Sequence, residues 1–534
     1  MDFENKPLDN SEKSFLQPVL TVNASSNGNG KYTVHTTKRS ATKQVLLGLV
    51  ANFTCVAPSM SLGFSAIVLP YLLAKDNPYQ LTPSQGSWVA SVASIATPLG
   101  SFLSGPLSDR FGRKLTFICV HIICCLGWFV IAAAYKIPDY QYPILIVGRL
   151  ITGLSTGVAS MPPSVYIAEI SSPKLRGMFT TWSSIFFSIG VLIVYLLGYL
   201  NKEDWFVTAI ISGIIPLVGI LLVHIFIVES PTWLISVGEC NKAKQSMCHL
   251  YSTKICTPPI QQEINTIITS RQKIQAAIEA KYSHLENPSR TAIFFSNLKY
   301  FTGPTCLKPF ILMLGFFFFQ QFSGTFVIIF YAVSIIQEAG VLMDAFIAAV
   351  IIAFTRLVAA VLVGFVSKSY GRRPPTIISG SGMTISMLLL GSYVLAKSQD
   401  LLSDAVISKF NFWLPMTLLT VYIFTSTLGF YAIPFAMTAE LFPAKARGMA
   451  SGLLTCVAYT FNFITVKFFP NMVKTMGSYG VFFLFGAFSL AGTIFVVLCL
   501  PETKGKTLEE IEEYFGKKKT KQATEKSLMI NHDP

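Results

Sequence analysis

The sequence predicts an all-α membrane protein: twelve transmembrane helices in two parallel six-helix halves, with a cytosolic helical linker between them. Three observations predict it. Of 534 residues, 52% are hydrophobic and 13% charged, where a soluble domain carries about 25% charged residues. Apolar stretches of roughly 20 residues, enough to carry a helix across a bilayer, recur along the chain. The polar strings between them also repeat: "AEISSPKLRG" at Ala168–Gly177 is matched by "AELFPAKARG" at Ala439–Gly448.

In order, the spans fall at about 44–70, 86–107, 115–135, 143–168, 178–200, 205–227, 309–336, 343–367, 375–396, 411–438, 449–470 and 478–500. The polar tail 1–43 lacks a charged-then-apolar start with a cleavage site, so the first span is expected to direct insertion. Residues 44–235 form the first half. The linker 236–308 carries Ile260, Ile264, Ile267, Ile268, Ile274 and Ile278 at helical spacing, which predicts an amphipathic helix beneath the bundle. Residues 309–500 form the second half and 501–534 the C-terminal tail.

The net charge of +14 is a topology signal rather than a nucleic-acid footprint. Apart from Arg149 and Arg356 within spans, the Lys and Arg residues toward the side opposite the termini are only Lys75, Lys136, Lys202, Lys397, Lys409, Lys467 and Lys474; the rest crowd the side of the termini. Basic residues stay in the cytoplasm, which places both termini there. The glycosylation triplet at Asn23 then lies on the wrong side of the membrane. The ten cysteines avoid the outer loops and show no metal-ligand spacing, so neither a disulfide framework nor a metal site is expected.

Two further string pairs support the duplication. "GPLSDRFGRK" (Gly105–Lys114) pairs with "GFVSKSYGRR" (Gly364–Arg373), and "VESPTWL" from Val228 pairs with "LPETKG" from Leu500. Each links span n to span n+6, so the halves share one orientation. Parallel repeats with a solute site near the midplane are one architecture of secondary transporters. These strings, with "GRLITGLSTG" (Gly148–Gly157), "QQFSG" (Gln320–Gly324) and "PETKGKTLEEI" (Pro501–Ile511), resemble the sugar-porter family of the major facilitator superfamily. The resemblance runs from about Gly63 to Ile511 and is strongest to insect-type facilitated trehalose transporters.

That resemblance implies facilitated diffusion (uniport) of a sugar, trehalose or a hexose, by alternating access across the plasma membrane. Its partners are the small-molecule substrate and the lipid bilayer, with no cofactor, nucleic acid or partner protein. The same fold carrying a polyol or other non-sugar solute is the alternative, and a nutrient receptor a distant one. An enzyme is not expected: the sequence has no G-x-x-x-x-G-K loop, metal-ligand cluster or midplane carboxylate pair.

The resemblance also implies a cytosolic gate network, of Asp109, Arg110, Arg113, Glu169, Arg176 and Glu229 in the first half and Arg372, Arg373, Glu440, Arg447 and Glu502 in the second. These pairs are expected to close the inner mouth. The family pattern has an acid where this chain has Lys368, so the second network lacks one partner.

For the substrate, span seven offers Gln320 and Gln321 in a phenylalanine-rich run, where Ser323–Gly324 is expected to loosen the helix. Amides both donate and accept, which suits sugar hydroxyls. By spacing alone the two glutamines serve equally well as interhelical bonds; the resemblance favours substrate contact, and likewise for Asn462. At three positions the chain departs from the family: Phe326 replaces an Asn, Ser184 a Gln and Phe435 a Trp, the last beside Pro434. Arg356 stands mid-span in "AFTRLVAAVLVG", where a charge costs roughly 2.5–3.5 kcal/mol on insertion scales. With no carboxylate at its depth, it is expected either to face the cavity, donating to the solute or gating its path, or to bind carbonyls exposed at a helix break. Arg149, His121 and His224 are expected to pack. Ser65 occupies the position of the symporters' aspartate, which favours uniport over proton coupling.

Overall fold

The computed structural model describes residues 38–171, 173–202, 204–253, 256–282, 303–401, 410, 413–443, 447–506 and 508–516. Among them are helices and turns and no strand. Ten stretches are long and apolar enough to cross a membrane. Two features separate ten from the expected twelve. The helix Pro83–Phe111 has 29 residues, about 44 Å at 1.5 Å per residue, but too many serines to count as apolar. Those serines face protein instead of lipid: Ser101 and Ser104 donate to the carbonyls of Gly157 and Val158. The stretch Gly448–Cys499 counts as one of 52 residues, but Gly477, at φ 70° and ψ 167°, breaks it where the sequence reading divides spans eleven and twelve.

Four spans are discontinuous, and they sit three apart in the order. The first is Lys38–Phe53 and Val56–Leu72. The fourth is Gln141–Val158 and Pro162–Ile170, restarted by a proline pair. The seventh is Pro304–Phe322, Thr325–Phe330 and Ala332–Glu338. The tenth is Leu414–Ser426, a π-helical turn Thr427–Tyr431 and Ile433–Glu440. The seventh breaks at Ser323–Gly324, as the sequence suggests, because Gly324 is left-handed at φ 88°. Broken helices free backbone carbonyls, which a membrane tolerates only where protein or a cavity receives them.

The halves meet along two helix pairs, Pro83–Phe111 with Arg447–Cys499 and Pro173–Leu200 with Ala345–Tyr370. Beneath the first half, the linker helices Pro231–Ser236, Cys240–Leu250 and Pro258–Tyr282 bury Ile235, Met247, Leu250, Ile260 and Ile264 against Leu47, Val50, Phe117 and Val223. The side chains of Ile274 and Ile278 lie outside the described residues.

Candidate transport site and its flanking clusters

The centre of the bundle holds a chain of hydrogen bonds. Gln320 Nε2 donates to the carbonyls of Phe430 (2.7 Å) and Tyr431 (3.0 Å), which the π-helical turn of span ten leaves available. Gln320 Oε1 accepts from Gln321 Nε2 at 3.3 Å, and Gln321 Oε1 accepts from Asn462 Nδ2 at 3.1 Å. Asn462 Oδ1 accepts from Ser94 Oγ at 2.6 Å, crossing between the halves. All four side chains are buried. Leaving one such group without a partner costs about 1–3 kcal/mol, so each satisfies the next. Hydroxyls of a solute could replace these links with little net loss.

Tyr431 connects this chain to an aromatic wall. Its ring centre lies 5.2 Å from that of Phe326 and 6.1 Å from that of Phe187. The Arg356 guanidinium stands 4.3 Å from the Tyr431 ring centre and 5.2 Å from that of Phe187. Arg356 is buried; none of its three nitrogens meets standard hydrogen-bond geometry among the described residues, and the Tyr431 hydroxyl lies close enough to interact with it. Desolvated cation–π contacts of this kind contribute about 2 kcal/mol.

Five of the sequence candidates, Gln320, Gln321, Asn462, Phe326 and Arg356, therefore surround Tyr431 or the amide chain. Ser184 is half-buried on span five, its carbonyl accepting from the Ser188 hydroxyl. Phe435 packs edge-on against Phe317, ring centres 5.1 Å apart. Sequence reasoning missed Ser94, one serine among many on its helix, and Tyr431, which stands three residues before Pro434. Arg149 is fully buried and ties spans four, two and one: Nε donates to the Val89 carbonyl, one terminal nitrogen to that of Ala90 and the other to the Ser61 carbonyl and hydroxyl. His121 is buried with neither ring nitrogen bonded, Phe53 lying 6.4 Å from its ring centre. The His224 carbonyl accepts from Lys114. Ser65 donates to the Leu62 carbonyl.

On the face of the termini, each half carries one charged cluster, and the two correspond almost atom for atom. Arg113 grips Glu169 with Nε and a terminal nitrogen (3.0 and 2.8 Å) and reaches the Ser108 carbonyl and Asp109 with the other. Glu229 accepts from the backbone amides of Arg113 and Lys114. In the second half Arg372 grips Glu440 (3.1 and 2.7 Å) and donates to the Ser367 carbonyl and hydroxyl. Glu502 accepts from the amides of Arg372 and Arg373. Glu229 and Glu502 thus cap the free amides at the starts of Arg113–Lys136 and Arg373–Ser398. Gly112 and Gly371, both at φ 88°, make room: a Cβ there would lie 2.5 and 2.7 Å from the capping carboxylate.

Partial burial opposes the Glu502 charge, yet the amides of Lys504, Arg373, Arg372 and Thr503 overcome it and hold the carboxyl below its ordinary range. Arg110 lies over the Phe111 ring, and Arg373 donates to the Val497 carbonyl. The side chains of Arg176, Lys368 and Arg447 lie outside the described residues. In this conformation every described partner of these charged groups belongs to the same half.

Residues 25–515 match the family described as "Sugar (and other) transporter". The chain belongs to that family. It is 31% identical to a facilitated trehalose transporter, Tret1, of Culex quinquefasciatus, over 85% of this chain and 83% of that one. It is 32% identical to a protein of the same name from Aedes aegypti, spanning 53% of that longer chain. Its fold is similar to the E. coli xylose transporter XylE in a partially occluded inward-open conformation, with TM-score 0.66, 18% identity, and coverage of 86% of this chain and 100% of that one. The proton:xylose symporter XylE bound to 6-bromo-6-deoxy-D-glucose gives TM-score 0.67 at 21% identity, covering 89% and 100%.

Proposed function

We propose that this protein moves a sugar-like solute down its gradient, by alternating access, through the site built on Ser94, Asn462, Gln321 and Gln320. The observation that carries the proposal is the amide chain itself. It joins the two halves at the depth where the broken seventh and tenth spans meet, and it offers exchangeable donors and acceptors suited to hydroxyls. Relatives named as trehalose facilitators and a xylose-binding fold support a sugar, trehalose or a hexose. Trehalose as the particular cargo, uniport, residence at the plasma membrane and cytosolic termini are parts of the same proposal.

Polar contacts between the halves favour one conformation. On the face away from the termini, Lys202 pairs with Asp344 and Lys467 donates to Ser84 and Ser87. Toward the same face, the Tyr195 hydroxyl donates to the Ile329 carbonyl. The clusters on the opposite face stay within their own halves. We infer an outer side that is closed, with the clusters shaping each half as it rocks. The test is uptake of radiolabelled trehalose and glucose by cells expressing the protein. Saturable uptake is expected, with Gln321→Ala raising KM by about tenfold, the loss of one or two hydrogen bonds. Uptake of neither by protein confirmed at the cell surface would defeat a neutral sugar as the cargo.

A further inference from the structure

Two arginines are buried within the spans, and their surroundings differ in kind. Arg149 places its donors on carbonyls and a hydroxyl inside one half. Arg356 makes no hydrogen bond of standard geometry from Nε or either terminal nitrogen among the described residues, the Tyr431 hydroxyl being within reach of it, although it is only 2% exposed. It stands where the halves meet, between Phe187 of the first and Tyr431 of the second. No aspartate or glutamate is buried among the described residues, so nothing at this depth balances the charge. A buried ion with neither a counter-charge nor hydrogen bonds is among the costliest arrangements a protein can hold. A solute brought to the site can complete it.

We propose that Arg356 is the receptor for a carboxylate on the transported solute, so that the preferred cargo is a monoanionic sugar acid and not a neutral sugar. This rests on the amide chain being the solute site. Three features specify the chemistry. The rings of Phe187 and Tyr431 hold the guanidinium carbon at 5.2 and 4.3 Å while its N–H groups make no hydrogen bond of standard geometry, and that planar fork matches a carboxylate with two parallel hydrogen bonds. One unbalanced positive charge matches one negative charge. The hydroxyls of such a solute find Gln320, whose amide is bonded to the carbonyl of the same Tyr431. Bound, the carboxylate and guanidinium form a neutral pair, so the loaded carrier crosses without a bare charge while the empty one returns with it. Net transport then moves one negative charge per cycle.

The experiment uses the full chain, purified and reconstituted in liposomes, with labelled glucose, glucuronate and glucose 6-phosphate. Glucuronate uptake is expected to be saturable, with kcat/KM at least about tenfold above glucose, since a site built for a polar group rejects the analogue lacking it. An inside-positive potassium diffusion potential is expected to speed glucuronate uptake. Arg356→Gln is expected to reverse the preference and Arg356→Lys to keep it in weaker form. Should the Gln variant fail to fold, the voltage response of the unmodified protein decides. Glucose carried while glucuronate is excluded would overturn the inference and leave the sugar proposal standing. A preference for glucose 6-phosphate over glucuronate would overturn the monocarboxylate assignment. Carriage of none of the three, nor of trehalose, by monodisperse protein would remove the sugar proposal and this inference together.

Discussion

The two charged clusters share a hydrogen-bonded skeleton but differ in their cover. Around Arg113 and Glu169, side-chain exposure is 9% and 14%. Trp233 of the helix Pro231–Ser236 lies beside the cluster, its indole N–H donating to the Asp109 carbonyl at 2.8 Å. Around Arg372 and Glu440, exposure is 25% and 29%. The position equivalent to Trp233 is Lys506, and the space beside it is a cavity of about 380 Å³ lined by Ser367, Arg372, Glu440, Thr503, Lys504 and Lys506. Duplication therefore preserved the bonds and changed the solvent. Since charge pairs strengthen as water is excluded, the first cluster is the stiffer of the two and the second the softer.

The largest test of that contrast removes the arginine from each. Arg113→Ala strands a nearly enclosed Glu169, and such losses cost about 3–5 kcal/mol. Arg372→Ala leaves Glu440 with water in the adjoining cavity and the Thr503 hydroxyl at 2.7 Å, for a loss of about 1–2 kcal/mol. Thermal unfolding of the purified variants in detergent measures both. Equal losses would break the comparison, because exposure would then not set the strength of the pair.

A smaller effect makes the second cluster answer to pH. The Glu502 carboxyl is held below its ordinary value by four backbone amides, against the opposing effect of burial. A depressed carboxylate contributes stability that is fully present above the unfolded value, near 4.5, and is lost as pH falls through the lower folded value. Glu502→Gln is expected to unfold more readily than the unmodified chain at pH 7, with the gap closing only below that window. A gap that closed already between pH 6 and 7 would mean that a different group is titrating.

Much of this was legible beforehand, and the boundary is physical. The repeated strings placed Arg113 with Arg372, Glu169 with Glu440 and Glu229 with Glu502, because polar strings at helix ends survive in register. They also exposed Arg356, since a charge inside an apolar run is conspicuous at any depth. Hidden from the sequence was whatever depends on neighbours from distant spans. Tyr431 draws Phe187, Phe326 and Arg356 from three other spans, and no periodicity announces that. The break at Gly324 was visible because a small-residue pair interrupts a phenylalanine run. The π-helical turn at Thr427–Tyr431 was not, since a lone Gly429 inside an apolar run reads as a tolerated helix glycine, and its close approach to Thr376 and Ser379 comes from packing.

The smallest effect comes from the position where the two strings disagree in sign, Asp109 against Lys368. Asp109 reaches Arg113 at 3.4 Å but is 78% exposed, and exposed pairs contribute only about 0–1 kcal/mol. Lys368→Asp would put a carboxylate where the first half has one. The expected gain is about 0.5 kcal/mol in low salt, disappearing near 1 M salt, where screening acts over about 3 Å. Unfolding midpoints at the two ionic strengths measure it. A gain that persists in high salt would show that the second cluster is enclosed after all, and the contrast with the first would fail at its weakest point. A loss instead of a gain would assign Lys368 a place in the cationic lining of the cavity, and the second half's departure from the first would then be a built feature of that face.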